Sequence, residues 1–307
     1  MTLKQRKRME LLAPAGGMEQ LKAALRFGAD AVYGGMKQYG LRAFAGNFDE
    51  AALAEAAERC HQQGAKFYVT MNILPTDREL DGFAQAGETA LRCGADAAIV
   101  SDLGACLILH ERVPGLPIHI STQANVMNAP TALHLHRAVG AERIVLSREL
   151  SRDQIEYICQ RSPIEIEVFG HGALCMCYSG QCYFSSVIGG RSGNRGLCAQ
   201  PCRLKYGWNG RADEYPLSLK DMSLVSHLKE LQDMGVACLK LEGRMKRPEY
   251  VAVVTGVYAR ALKEGRSPTQ AELDALEQVF SRQGFTDSYF MGQKGPEMFG
   301  TRQEGKE

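Results

Sequence analysis

Four times in this chain a helical pattern runs into a glycine and turns almost at once into a strand-like stretch. The joints are Gly28-Ala29-Asp30-Ala31, Gly94-Ala95-Asp96-Ala97, Gly140-Ala141-Glu142-Arg143 and Gly235-Val236-Ala237. Glycine accepts the left-handed backbone that ends a helix, so each joint marks a return from helix to strand. A chain that keeps making this return builds parallel strands joined by crossover helices. The strand candidates are Glu10–Ala13, Ala31–Gly34, Lys66–Met71, Ala97–Val100, Ile118–Thr122, Arg143–Ser147, Glu165–Phe169 and, after a gap of almost seventy residues, Ala237–Leu241. Amphipathic periodicity predicts helices at Met18–Phe27, Asp49–Gln63, Arg78–Cys93, Leu103–Glu111, Ala129–Val139, Arg152–Gln160, Leu224–Met234 and Pro248–Glu264. Eight such units favour an α/β fold of (β/α)8, TIM-barrel-like type, with a doubly wound sheet as the alternative.

In a barrel, the loops at the carboxyl ends of the strands form the site. Polar residues expected there are Tyr33, Asn72, Ser101, Asp102, Gln123, Asn125, Arg148, Glu149, His171, Glu242 and Arg244. Each also reads as a helix cap, a loop hydrogen bond or a solvated charge. The barrel is expected to span 9–265, after a basic extension 1–8 and before a helix and tail at 266–307. The tail from Gly292 reads as loop or linker.

The gap before the eighth strand holds a second signal. Of ten cysteines in 307 residues, five fall between 175 and 202: Cys175, Cys177, Cys182, Cys198 and Cys202. They belong to an expected cysteine-rich insertion, 171–215, between strands seven and eight. Glycines at 170, 172, 180, 189, 190, 193 and 196 leave little apolar core between them. A thiolate-bound metal is the natural reading, but paired CxxC knuckles and the ferredoxin run are both absent. Spacing alone leaves zinc and an iron–sulfur cluster open. Cys60, Cys93, Cys106 and Cys159 sit in apolar helical patterns and read as core. A net charge of +1 and an ordinary apolar content argue against disorder. No stretch reaches membrane-spanning length and no secretory signal is evident, so a reducing, cytoplasmic setting is expected.

Specific motifs then carry a resemblance. Glu167-Val-Phe169-Gly-His171-Gly-Ala-Leu-Cys175 is followed by Ser179-Gly180-Gln-Cys182 and Ser185-Ser186. Gly196-Leu-Cys198-Ala-Gln-Pro-Cys202-Arg203, Pro216-Leu-Ser218-Leu-Lys220-Asp221 and Leu239-Lys240-Leu241-Glu242-Gly243-Arg244 come next. Glu10-Leu-Leu-Ala-Pro14-Ala-Gly16, Gly28-Ala-Asp30-Ala-Val-Tyr33 and Ser121-Thr-Gln123 stand upstream. Together these resemble the peptidase U32, or collagenase-like protease, family over residues 9 to 300.

The resemblance implies an oxygen-independent RNA hydroxylase carrying a [4Fe–4S] cluster, with prephenate as oxygen donor. The reaction would be tRNA wobble uridine 5-hydroxylation or 23S rRNA cytidine hydroxylation. It carries the cluster ligands onto Cys175, Cys182, Cys198 and Cys202, leaving Cys177 a nonligand and Cys238 a buried strand residue or a neighbour of the ligands. Zinc is the alternative metal. Arg148, Lys240 and Arg244 are then expected to grasp the dicarboxylate, since guanidinium pairs well with carboxylate. Glu167, His171 and Glu242 are the proton-transfer candidates. Glu242 and Arg244 read equally as a structural ion pair. Tyr33, Gln123 and Asn125 complete the expected substrate site. Trp208, with Tyr206 and Tyr183, is a candidate for stacking on an unpaired RNA base or for anchoring the insertion. From Arg191 to Arg247 eleven Lys or Arg face six Asp or Glu, which suits a phosphate-bearing partner. Alternatives are a U32-type peptidase, a zinc-stabilised RNA-binding module, and a noncatalytic subunit beside a paralogous partner. No HExxH or GxSxG motif supports peptidase chemistry.

Overall fold

A computed structural model of the protein describes residues 8–42, 45–208 and 210–301, without the side chains of 208 and 211–213. In chain order the strands are β1 (Glu10–Pro14), β2 (Ala31–Gly35), β3 (Lys66–Met71), β4 (Ala97–Val100), β5 (Ile118–Ile120), β6 (Arg143–Val145) and β7 (Glu165–Ala173). There follow β8 (Tyr206–Trp208), β9 (Arg211–Glu214), β10 (Asp221–Ser223), β11 (Cys238–Leu241) and β12 (Phe285–Thr286). The helices are α1 (Met18–Arg26), α2 (Glu50–Gln62), α3 (Leu80–Arg92), α4 (Leu103–Arg112), α5 (Ala129–Val139), α6 (Arg152–Arg161), α7 (Phe184–Gly189), α8 (Leu228–Met234), α9 (Pro248–Glu264) and α10 (Gln270–Val279).

Strands β1 to β7 pair in sequence as parallel neighbours, and β11 pairs in parallel with both β7 and β1. That double pairing closes the sheet into a ring, which excludes the doubly wound alternative. All eight expected barrel strands are present within a few residues of their expected bounds. Helices α2, α4 and α5 are held at their starts by Asp49, Asp102 and Asn128, whose side chains accept from Ala52 N (3.0 Å), Ala105 N (2.8 Å) and Thr131 N (2.9 Å). Asp102, expected near the site, is thus a helix cap.

Two apolar cores result. One lies between barrel and helices and includes Phe67, Phe83, Leu109 and Val254; the other fills the barrel with Leu12, Ala31, Tyr33, Tyr68, Ala97, Ile99 and Cys238. Small residues at 31 and 97 leave room inside for charge. Arg143 reaches Glu10 (2.7 Å), Glu165 (2.6 Å) and Glu167 (3.4 Å), and Glu167 also accepts from Lys240 (3.0 Å). Buried charges persist only when paired in this way.

Several elements depart from expectation. Strand β7 runs beyond Phe169 to Ala173 because β10 pairs antiparallel with residues 171–173. The helix expected from Leu224 starts at Leu228, after a 3₁₀ turn at Val225–His227. Between Gly292 and Thr301 the chain packs back on the barrel, with Phe299 bridged to Leu219 and Met298 buried; just before it, β12 pairs with β10. Among the described residues no helix is long and apolar enough to cross a membrane. The basic run Lys4-Gln5-Arg6-Lys7 lies outside the described residues.

Candidate active site at the barrel mouth

The carboxyl ends of the strands and the loops after them bring five charged side chains, Lys240 among them, to the barrel mouth, where they line a tight cavity of about 40 Å³. Arg42 comes from the loop after β2, Arg148 from the end of β6, and Glu242 and Arg244 from the end of β11. Glu242 Oε1 accepts from Arg42 Nη2 at 3.1 Å, and its Oε2 from Arg148 Nη2 at 3.4 Å. Arg148 Nη1 donates to the Ala173 carbonyl (2.8 Å), and its guanidinium lies 4.1 Å from the centre of the Phe169 ring. Arg244 donates to Thr70 Oγ1 (2.8 Å) and Asn47 Oδ1 (2.5 Å). Gly35 makes room for that arm, because a Cβ there would collide with the Arg244 guanidinium. The expected Glu242–Arg244 ion pair does not form; Arg244 turns to neutral acceptors instead.

Two atoms stand out. The Nε atoms of Arg148 and Arg244 are both buried without a hydrogen-bond partner. An unpaired buried donor carries its full desolvation penalty, so these N–H groups mark a place for an acceptor. Three guanidiniums surround one carboxylate, an excess of two positive charges. Burial pushes the Glu242 carboxyl upward, but Arg42, Arg148 and Arg244 overcome it and hold the group down at about 2. Burial, reinforced by Arg42, pushes the Arg244 guanidinium down to about 10. Burial and then Glu242 raise the Tyr33 phenol well above its ordinary value. Its hydroxyl donates to the Leu241 carbonyl at 2.9 Å.

The other expected residues divide. Tyr33, Gln123 and Lys240 line the mouth. Lys240 enters from below, its ammonium 4.4 Å from the Tyr33 ring centre and bonded to Glu167. Glu167 has no exposed surface and is committed to Lys240 and Arg143, within the ionic column under the cavity. Asn125 lies at the rim in a left-handed conformation, its Oδ1 accepting from Ser147 Oγ (2.8 Å). His171 is not brought to the mouth. It is buried against α9, with Nδ1 3.3 Å from the Tyr258 hydroxyl, and burial lowers it to about 3. The Trp208 side chain lies outside the described residues. Arg42 and Thr70 carry no motif in the sequence, and Ser121 enters it only within Ser121-Thr-Gln123. Arg42 stands seven residues beyond its strand in a stretch that reads as plain loop; its only sequence signal is a basic residue in an unusually long connection.

The cysteine segment leaves β7 at this same face and lies over the mouth. Ser179 donates from its N (3.2 Å) and Oγ (3.1 Å) to Glu149 Oε1, and Gly180, at φ +76°, seats directly on the Gln123 carbonyl. Arg195 ties the segment to the loop after β3 through Glu79 (2.7 Å) and the Leu74 carbonyl (2.6 Å). All ten cysteines are free thiols, with Cys175 and Cys198 exposed. The thiols lie near one another: Cys202 is within electrostatic reach of Cys175, Cys198 and Cys182, and Cys177 of Cys182, Cys175 and Cys202. The Gln200 amide donates to Cys198 Sγ at 3.3 Å, as amides do around bound thiolates. Cys175 is also within electrostatic reach of Arg42, which links the thiols to the mouth. Among the described residues, no three His, Cys, Asp or Glu side chains stand at metal-binding spacing as placed. The donor set fits a thiolate-bound metal in number and chemistry, and binding one requires the segment to draw its thiols together. Cys238 is fully buried inside the barrel.

A closed (β/α)8 barrel with an arginine-rich mouth, roofed by a cysteine-bearing segment, defines the class of protein. The chain belongs to peptidase family U32, whose profile matches residues 16–300. It is 32% identical to "tRNA hydroxylation protein P" of Escherichia coli, covering 91% of this chain and 74% of that one. It is 41% identical to the Escherichia coli "23S rRNA 5-hydroxycytidine C2501 synthase", over 83% of this chain and 39% of that one. It is also 35% identical to a "Collagenase" of Porphyromonas gingivalis, over 93% and 74% of the two chains. Among solved structures, the U32 peptidase Mk0906 shares the fold, with a TM-score of 0.53 and 12% identity over 79% of this chain and 96% of that one.

Proposed function

We propose that this protein is an RNA hydroxylase whose barrel mouth takes a small dicarboxylate co-substrate, prephenate being the expected one, in an oxygen-independent reaction on tRNA or 23S rRNA. The observation that carries the mouth assignment is the pair of buried, unpaired Nε donors on Arg148 and Arg244 within an excess of two positive charges. A dicarboxylate matches that excess, and guanidinium suits carboxylate in geometry as well as charge. The cavity is too small for such a ligand as it stands, so entry breaks the Arg42–Glu242 contact and displaces the loop that carries Arg42. Relatives named for tRNA and 23S rRNA hydroxylation support RNA as the acceptor.

Cys175, Cys182, Cys198 and Cys202 would hold a [4Fe–4S] cluster, with zinc as the alternative. Bound there, a cluster supplies one-electron transfer beside the mouth. This chain's own residues bind and orient the dicarboxylate through Arg148 and Arg244, and Glu242 keeps the empty mouth electrostatically balanced. A reducing, cytoplasmic setting suits the free thiols. The peptidase reading gains nothing from His171, which faces the helices away from Ser179, whose Oγ donates to the Glu149 carboxylate instead.

Nucleoside mass analysis of tRNA and ribosomal RNA decides the function. A strain lacking this protein and its paralogues is expected to lose one hydroxylated pyrimidine, restored by the wild-type chain. An unchanged hydroxynucleoside profile overturns the proposal.

A further inference from the structure

Arg203, next to the last of the clustered cysteines, is tied down in an unusual way. Its Nη1 donates to Ser218 Oγ (3.0 Å) and to the Leu219 carbonyl, and its Nη2 donates to the Leu174 carbonyl at 2.6 Å. All three partners are neutral, and no carboxylate among the described residues hydrogen-bonds to it. Asp221 is within electrostatic reach, but its Oδ1 already accepts from Arg282 at 2.5 Å. A partly buried guanidinium whose hydrogen bonds all go to carbonyl and hydroxyl oxygens draws its compensation at a distance, here from an Asp221 carboxylate that it shares with Arg282. Such a charge favours an anion nearby.

Asp221 is one anion in reach, shared with Arg282; metal ligation would supply others, by turning the neighbouring thiols into thiolates. Cys175 and Cys202 are both within electrostatic reach of Arg203. The Leu174 bond fixes the backbone immediately before Cys175, while Arg203 itself follows Cys202. One side chain thus ties together the two ends of the cysteine segment, 27 residues apart in sequence. Ser218 and Leu219 anchor the same group to the chain returning toward β10.

We infer that Arg203 is a positioning residue and built-in counter-ion for an anionic metal–thiolate centre on Cys175, Cys182, Cys198 and Cys202. This rests on the cluster reading above. It adds that the positive charge of residue 203, and not only its hydrogen bonds, sets the centre's electronic properties. A fixed cation beside a cluster stabilises the reduced, more negative state and raises the reduction potential.

The test reconstitutes wild type, R203K and R203Q anaerobically with iron and sulfide. It measures metal content and then the midpoint potential by a spectroscopically monitored redox titration. R203K keeps the charge but cannot span three acceptors; R203Q keeps a donor and loses the charge. The expected result is a potential for R203K close to wild type and one for R203Q lower by about 59 mV, a tenfold change in the one-electron ratio. Selective loss of cluster from R203Q while R203K retains it supports the same role. An unchanged potential in a fully loaded R203Q overturns it, as does equal loss of cluster from both variants, which marks a brace without an electrostatic part. A wild-type protein that takes up no iron sinks the cluster reading and the Arg203 role together, and is told apart by the wild-type sample alone.

Discussion

Arg42 Nη2 stands 3.1 Å from Glu242 Oε1, a bond between the loop after the second strand and the end of the last barrel strand. Glu242 is the one carboxylate among three mouth arginines, so its removal leaves buried guanidiniums facing one another. With Arg42 32% and Glu242 16% exposed, the pair is part-buried, and losing one partner costs about 1–3 kcal/mol rather than the roughly 3–5 kcal/mol of a fully buried pair. E242Q is therefore expected to lower stability by roughly that amount, read as a fall in denaturation midpoint at unchanged m-value.

The same carboxylate predicts an acid limit. Its folded value, about 2, lies below the ordinary 4.5, so the folded state holds it charged where the unfolded chain binds a proton. The stability it contributes is complete above about pH 4.5 and is lost as pH falls toward 2. Denaturation curves of wild type across that window are expected to be steeper in pH than those of E242Q; coincident slopes refute the assignment.

His171 predicts a second window, which opens higher and overlaps the first between about pH 4.5 and 3. Burial holds it neutral down to about 3, against an ordinary 6.5. The unfolded chain takes up a proton first, so stability falls as pH drops from about 6.5 toward 3. H171N is expected to flatten this part of the profile while leaving hydroxylation in place at neutral pH. Loss of activity in a well-folded H171N would restore His171 to the chemistry.

Arg244 predicts an affinity effect. Its arms hold Thr70 and Asn47 while its Nε waits for an acceptor. Charged hydrogen bonds contribute about 1.5–3 kcal/mol, so R244Q is expected to weaken dicarboxylate binding by tenfold or more, measured by calorimetry. Equal affinity in the two proteins removes Arg244 from the binding site.

Gly180 predicts a separation of fold from metal. A side chain there would strike the Gln123 carbonyl, and φ of +76° adds strain of about 1–3 kcal/mol. G180A is expected to lose iron uptake while most of the far-ultraviolet circular dichroism persists. C177S, by contrast, should load normally, whereas C175S, C182S, C198S and C202S should not.

The barrel could be read from the chain because its signal is local and repeated. Glycine at each helix exit and an apolar run after it fix a unit whose only efficient packing is the next unit. The residues at 206–223 form short polar strands with no such pattern, so β8, β9 and β10 were not foreseen. His171 shows a subtler failure. Residues Glu165, Glu167 and Phe169 alternate inward, and period two would carry His171 inward as well. Against β11, however, Lys240 pairs with Phe169 and the next residue, Leu241, pairs with His171. Gly170 is thus an extra residue, a bulge that turns the histidine to the helix side. Arg42 escaped because position in a long loop carries no period at all.

That bulge lies on the strand that also carries Glu167 in the ionic column, Phe169 beneath the Arg148 guanidinium, and the lead into Cys175. Part of the charged floor, the Phe169 wall of the mouth and the first thiol therefore hang from one stiff rod, pinned on both sides by β6 and β11 and capped by β10. The offset between Cys175 and the mouth is set by that backbone and resists tuning, while the later thiols stand on the segment that has to close on a metal. Divergence in what the mouth accepts falls instead on the opposite wall, where Arg42 enters on a long connection that can change in length and sequence without disturbing the rod.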